Sequence, residues 1–137
     1  MKQWQYKLAK KILVPELKEQ ILADGAHFEL SPMYHQLMLY RVLDCYNLVK
    51  NNPHFKEELA PFFKERAEKM LGWLENITFN NGDIPLLNDS AFYINPTTKE
   101  IFGYAKQLNL QAQKTLLKES GYRRIVQENY ELIADIG

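Results

Sequence analysis

A single cysteine, Cys45, stands in 137 residues, which excludes an internal disulfide and any metal or redox site of the CxxC kind. It falls among Val42, Leu43, Leu48 and Val49 in a helical pattern and so reads as a small buried apolar residue, not a nucleophile. Neither sign of charge is in excess. Seventeen Lys and Arg meet 17 Asp and Glu, so no basic field holds nucleic acid or anionic lipid, and any acidic ligand has to be bound by local groups. Long apolar runs are lacking too: nothing approaches a membrane span, and the opening MKQWQYKLAKK has no signal-peptide core. Apolar residues make up 46% of the chain, enough for a packed core in one domain's length.

Their spacing is mostly helical. Trp4, Leu8 and Ile12, with Leu13, Leu17 and Ile21, form two rows at spacing four over 4–23, and Pro15 predicts a kink or a fresh start near Val14. Residues 31–51 form a second helix, with Leu37, Met38, Val42, Cys45, Leu48 and Val49 inward and Asn51-Asn52-Pro53 as its end. A third spans 55–76, with Leu59, Phe62, Phe63, Ala67, Met70, Leu71 and Leu74 on the core side. Its clusters Lys56-Glu57-Glu58 and Lys64-Glu65-Arg66 read as solvated faces, and Trp73 belongs to the core periodicity. Asn80-Asn81-Gly82 is a turn, Ile84 to Leu87 is too short and proline-marked for a helix, and a fourth helix runs from Pro96 or Thr97 to Leu108. After Gln113 the pattern changes to β-branched and aromatic residues. Residues 122–127 and 130–136, separated by Glu128-Asn129, read as two strands of a hairpin. The expected fold is mainly α, an antiparallel helical array over 1–113 followed by the first strands of a β-domain over 114–137. Because a lone hairpin is marginal in water, the chain is expected to be a fragment of a larger protein.

Chemistry concentrates in DGAHFELSPMYH, Asp24 to His35. Asp24-Gly25 reads as a helix stop and Ser31-Pro32 as the next start, with Ser31 the cap and Pro32 at the first helical position. Tyr34 then lies in the first turn, where free N–H groups and the helix dipole favour an anion nearby. A free phenol's pKa of roughly 10 is too high for a base near neutrality without help from the surroundings; the alternative for Tyr34 is a ring packed in the helix interface. His27, Glu29 and His35 follow no metal-ligand spacing, so no metal is expected. Glu29 is expected to anchor the loop through backbone N–H groups while one histidine reaches a ligand. His54 reads as a solvated helix-start residue. Asn88-Asp89-Ser90 suits either a helix cap or sugar hydroxyls.

Three blocks taken together, LKEQILADGAHFELSPMYHQLMLYRVLDCYNL, ITFNNGDIPLLNDSAF and SGYRRIVQENYELIADIG, resemble consecutive blocks of the heparinase II/III family of polysaccharide lyases. The resemblance implies an incomplete α/α toroid joined to a β-sandwich, with an acidic polysaccharide in the cleft between them. It implies cleavage of uronic-acid-containing polymers by β-elimination, with Tyr34 as the proton-transfer residue and Glu29, His35, Asn88 and Asp89 as substrate-binding candidates. No cofactor, nucleic acid or membrane partner is implied. The family's Asn-His pair would precede Met1, as would any export signal of a periplasmic or secreted parent, and its sandwich histidine would follow Gly137. The segment is therefore expected to hold one catalytic residue and a wall of the cleft. Whether the polymer is heparan-like or alginate-like, and is degraded or trimmed during synthesis, stays open. Two other readings compete: a non-enzymatic helical interaction module, and a glycoside hydrolase on a similar toroid. The latter requires Glu29 and Asp89 to flank a scissile bond about 5 to 9.5 Å apart.

Overall fold

The computed structural model describes the backbone of residues 3–137 and the side chains of 4–54 and 58–137. Lys56 and Glu57, expected on a solvated face, lie outside the described side chains. Four helices, α1 (Gln3–Gln20), α2 (Pro32–Lys50), α3 (Pro53–Ile77) and α4 (Thr98–Gln107), precede strands β1 (Tyr122–Val126) and β2 (Glu131–Asp135). The protein is mainly α with a C-terminal antiparallel hairpin.

The longest contact runs between α2 and α3, joined by Asn51 and Asn52 alone. His35, early in α2, meets Met70, late in α3, as a short connection between antiparallel helices requires. Leu39, Val42, Leu43, Phe63, Met70, Leu71, Trp73 and Leu74 are buried at this seam. Within α2 the phase differs from the expected one. Val42 and Val49 are inward, but Leu37 and Leu48 are exposed, and Leu39, Leu43 and Tyr46 take their places. With apolar residues almost all round this helix, its sequence admits either phase, and packing against α3 chooses. Cys45 is half-buried, with burial pushing its thiol pKa up.

Helix α1 runs unbroken through Pro15. Pro15 and Lys11, whose carbonyl loses its partner to the missing N–H, are both exposed, so solvent can satisfy that carbonyl and the helix needs no restart. Leu17 and Ile21 are buried, whereas the row Trp4, Leu8 and Ile12 is exposed. The helix ends at Gln20, earlier than Asp24-Gly25. Ile21 then pairs with His27 in an isolated bridge, and residues 20–30 close into a small hairpin through Phe28 N–H to Gln20 O and Leu22 N–H to Ala26 O, both 2.9 Å. In α4, Thr97 and Glu100 form a reciprocal capping box, each satisfying a backbone N–H of the other.

The hairpin pairs Tyr122 with Asp135 through Val126 with Glu131. One face meets the helices. Tyr122 is fully buried with its ring edge-to-face on Trp73, Ile133 is buried, and Arg124 bonds Glu131 and the carbonyls of Glu75 and Asn76. The opposite face carries exposed Ile125 and Leu132, which are register partners.

Candidate functional site

The first backbone N–H groups of a helix need partners from outside its own ladder, and in α2 two serine hydroxyls supply them for Met33 and Tyr34. Pro32 has none to satisfy. Met33 N–H donates to Ser90 Oγ at 3.1 Å, Tyr34 N–H to Ser31 Oγ at 3.4 Å, and His35 N–H to the Ser31 carbonyl at 2.8 Å. The Met33 and Tyr34 N–H groups, expected to favour an anion nearby, are therefore already bonded to serine hydroxyls. Ser90, from the Asn88-Asp89-Ser90 loop, acts as a second cap.

The loop before α2 is anchored by Asp24. Its buried carboxylate accepts Ala26 N–H at 3.1 Å and both the N–H and the hydroxyl of Ser120 at 2.8 Å. Ser120 Oγ in turn accepts the Trp73 indole N–H at 2.9 Å. Gly25, at φ +94°, presses on α3 so closely that a Cβ would stand 2.3 Å from the Lys69 carbonyl oxygen, a position open only to glycine. At the other end of the loop, Leu30 adopts φ +54°, and its carbonyl accepts both the Tyr122 hydroxyl and the Asn88 amide. Glu29, expected to be the anchor, makes no backbone hydrogen bond among the described residues and is exposed.

Side chains from this loop and from one face of α2 line an open cleft of roughly 450 Å³. Tyr34, Leu37, Met38 and Arg41 stand at i, i+3, i+4 and i+7 on α2, and Gln20, His27, Phe28 and Glu29 complete the lining. Tyr34 is half-buried, and its hydroxyl has no hydrogen-bond partner among the described residues. Glu29 and Arg41 bring one charge of each sign, Arg41 being loosely paired with Asp44 at 3.5 Å.

The two histidines separate. His35 is fully buried, its Nε2 donates to the Met70 carbonyl at 3.0 Å, and its Nδ1 accepts the His27 N–H at 3.2 Å. Its ring lies against Trp73 with centroids 4.4 Å apart, and burial lowers its pKa to about 3, which holds it neutral. It lies behind the cleft and does not line it. His27 does line it, and burial lowers its pKa against the opposing pull of Glu29. Asn88, bonded to Leu30 and Tyr122, and Asp89, exposed next to it, are not among the lining residues either. The sequence pattern overlooked Gln20, Phe28 and Arg41; the last was legible as the i+7 neighbour of Tyr34. No cluster of three or more His, Cys, Asp or Glu suited to a metal occurs among the described residues, and none of their helices is long and apolar enough to cross a membrane.

A family model described as the heparinase II/III N-terminus matches residues 1–116. The heparin-sulfate lyase of Pedobacter heparinus is 32% identical over 79 residues, 58% of this chain and 12% of that enzyme. The match thus spans about one-eighth of the relative's length. No solved structure matches the chain.

Proposed function

The chain belongs to the heparinase II/III family, and we propose that it is the part of a polysaccharide lyase that carries Tyr34 as the proton-transfer residue in β-elimination of a uronic-acid-containing polymer. The observation that supports this most is the Tyr34 cleft: a half-buried tyrosine with a free hydroxyl, on a rigidly capped helix start, beside Glu29, His27 and Arg41. β-Elimination removes the proton next to the uronate carboxylate and protonates the leaving glycosidic oxygen. A phenol fixed beside the leaving oxygen delivers the second proton after a base from the rest of the parent enzyme has taken the first, and the tyrosinate left behind is reprotonated from solvent. Arg41 offers a cation to the developing negative charge. Glu29 stands at the rim as a substrate-binding group. His35 acts as a positioning residue through its bond to the His27 backbone, and Asn88 and Asp89 belong to a more distant rim. The helices form part of an incomplete α/α toroid over 1–113, and 114–137 begin a β-sandwich. The carboxylate-neutralising and remaining proton-transfer groups come from the rest of the parent enzyme.

Ultraviolet absorbance of the unsaturated uronide tests this. The intact enzyme containing the segment is expected to produce it from heparan sulfate or alginate, and the 137-residue chain alone is expected to produce none. An intact enzyme that cleaves these polymers only by hydrolysis, with no new double bond, overturns the proposal.

A further inference from the structure

Phe28 has a large apolar ring that is 48% exposed yet is fixed in place. Its N–H is bonded to Gln20 O, it adjoins the Ile21–His27 bridge, and its ring stands edge-to-face with His27 at 5.0 Å and 85°. An exposed ring on a loop free to turn would be unremarked, whereas one held rigidly at a cleft wall is preorganised for an apolar surface. Next to it His27 is only 6% exposed, and its Nδ1 is a buried atom with no hydrogen-bond partner among the described residues. A buried N–H without an acceptor is worse tolerated than an acceptor without a donor, so the neutral ring carries its proton on Nε2, the nitrogen that solvent reaches. His27 therefore offers a hydrogen-bond donor to the cleft.

Pyranose rings combine these two requirements, having an apolar face of axial C–H groups and oxygen substituents around the edge. We infer that Phe28 and His27 are the sugar-seating pair of the Tyr34 cleft, with Phe28 beneath the C–H face of a pyranose and His27 donating from Nε2 to an oxygen of the same ring. Gln20 and Arg41 add donors and Glu29 an acceptor around that ring, the mixture found in sites that are mostly apolar with a few placed polar groups. The inference rests on the lyase reading of this cleft but goes beyond it, because it assigns binding to two residues that perform no proton transfer.

The chain has only three histidines, so their imidazole N–H signals can be followed by ¹H–¹⁵N spectroscopy during titration with a heparan sulfate hexasaccharide and a mannuronate hexasaccharide. At least one of the two is expected to shift the His27 Nε2–H and the Tyr34 backbone N–H signals while leaving His35 in place. Phe28→Ala is expected to weaken that binding about 10-fold and His27→Gln about 5-fold, in the range of a lost neutral hydrogen bond; Leu86→Ala, outside the cleft, should bind as the parent chain does. The His35 N–H signal reports whether the loop has kept its fold; where Phe28→Ala loses it, Phe28→Leu, which keeps an apolar group without the flat face, is expected to show the same weakening. Shifts at Tyr34 with undiminished binding by the His27 and Phe28 variants would overturn the pair and leave the lyase reading standing. No shift in any cleft residue with either oligosaccharide would overturn the pair, whereas the lyase reading stands or falls on the unsaturated uronide formed by the intact enzyme.

Discussion

His35 Nδ1 accepts the backbone N–H of His27 at 3.2 Å, so one histidine, sealed in the core, holds the backbone of the other at the cleft. Only a neutral His35 can do this, since its second nitrogen already donates to the Met70 carbonyl.

A pH dependence of stability follows. Folding lowers the His35 pKa from 6.5 to about 3, so between these values the unfolded chain binds a proton that the folded chain does not. Stability is complete above pH 6.5 and falls as the pH drops toward 3, by about 1.4 kcal/mol per pH unit for this one group. His27, whose pKa is also lowered, acts in the same direction. Denaturant unfolding at pH 7, 6, 5 and 4 is expected to show this slope, and His35→Asn is expected to lower stability at pH 7 while flattening the curve. An unchanged slope in the variant would assign the acid sensitivity elsewhere.

The Asp24 carboxylate ties the loop to Ser120, 96 positions along the chain. Asp24→Ala leaves the Ser120 and Ala26 N–H groups without their acceptor in a buried place, and is expected to cost about 2 to 4 kcal/mol. Ser120→Ala should cost less, since the backbone N–H bond remains. Because both changes act on one network, the double variant should fall short of the sum. Additive losses in urea unfolding would mean that the Asp24–Ser120–Trp73 chain does not act as a unit.

Two helical glycines should respond oppositely to alanine. A Cβ on Gly72 would stand 1.8 Å from the Gln113 carbonyl oxygen, so Gly72→Ala has to push backbone aside and is expected to destabilise by more than about 2 kcal/mol. Nothing lies within 4 Å of a Cβ on Gly103 in α4, and Gly103→Ala is expected to gain about 0.5 to 1 kcal/mol from helix propensity. Melting temperatures of the two variants check both signs.

Ile125 and Leu132 face each other on the exposed side of the hairpin, an apolar pair beside unpaired strand edges. The isolated chain is expected to self-associate through it. Ile125→Lys with Leu132→Glu should shift sedimentation toward monomer without loss of stability, whereas unchanged association would place the contact on another face, such as Trp4, Leu8 and Ile12 of α1.

The elements were legible in the sequence because their signals are local. The Ser31-Pro32 start, the Thr97 start, the Asn80-Asn81-Gly82 turn and the Glu128-Asn129 break depend on a few neighbouring residues each. The phase of α2 was not, because Leu37, Met38, Leu39, Val42, Leu43 and Leu48 offer apolar groups in nearly every direction, and only the position of α3 decides among them. That phase also decides the histidines. Residues 35, 39, 42, 43 and 46 form one buried stripe, and residues 34, 37, 38 and 41 form the cleft face. His27 and His35 look alike in the sequence, and burial under Trp73 separates them. The anchoring role expected of Glu29 belongs to Asp24, whose partner Ser120 lies too far along the chain for any local pattern to reveal.

Tyr34 is the centre of the account, and removing its hydroxyl alone is the most direct test. Tyr34→Phe in the intact enzyme keeps the ring in the cleft wall and takes away only the group proposed to move protons. Turnover, measured by absorbance of the unsaturated uronide on the polymer that the enzyme cleaves, is expected to fall about 100-fold or more, the contribution of a positioned acid or base, with KM little changed. A Tyr34→Phe enzyme that retains nearly full turnover would contradict the account and remove Tyr34 from the mechanism.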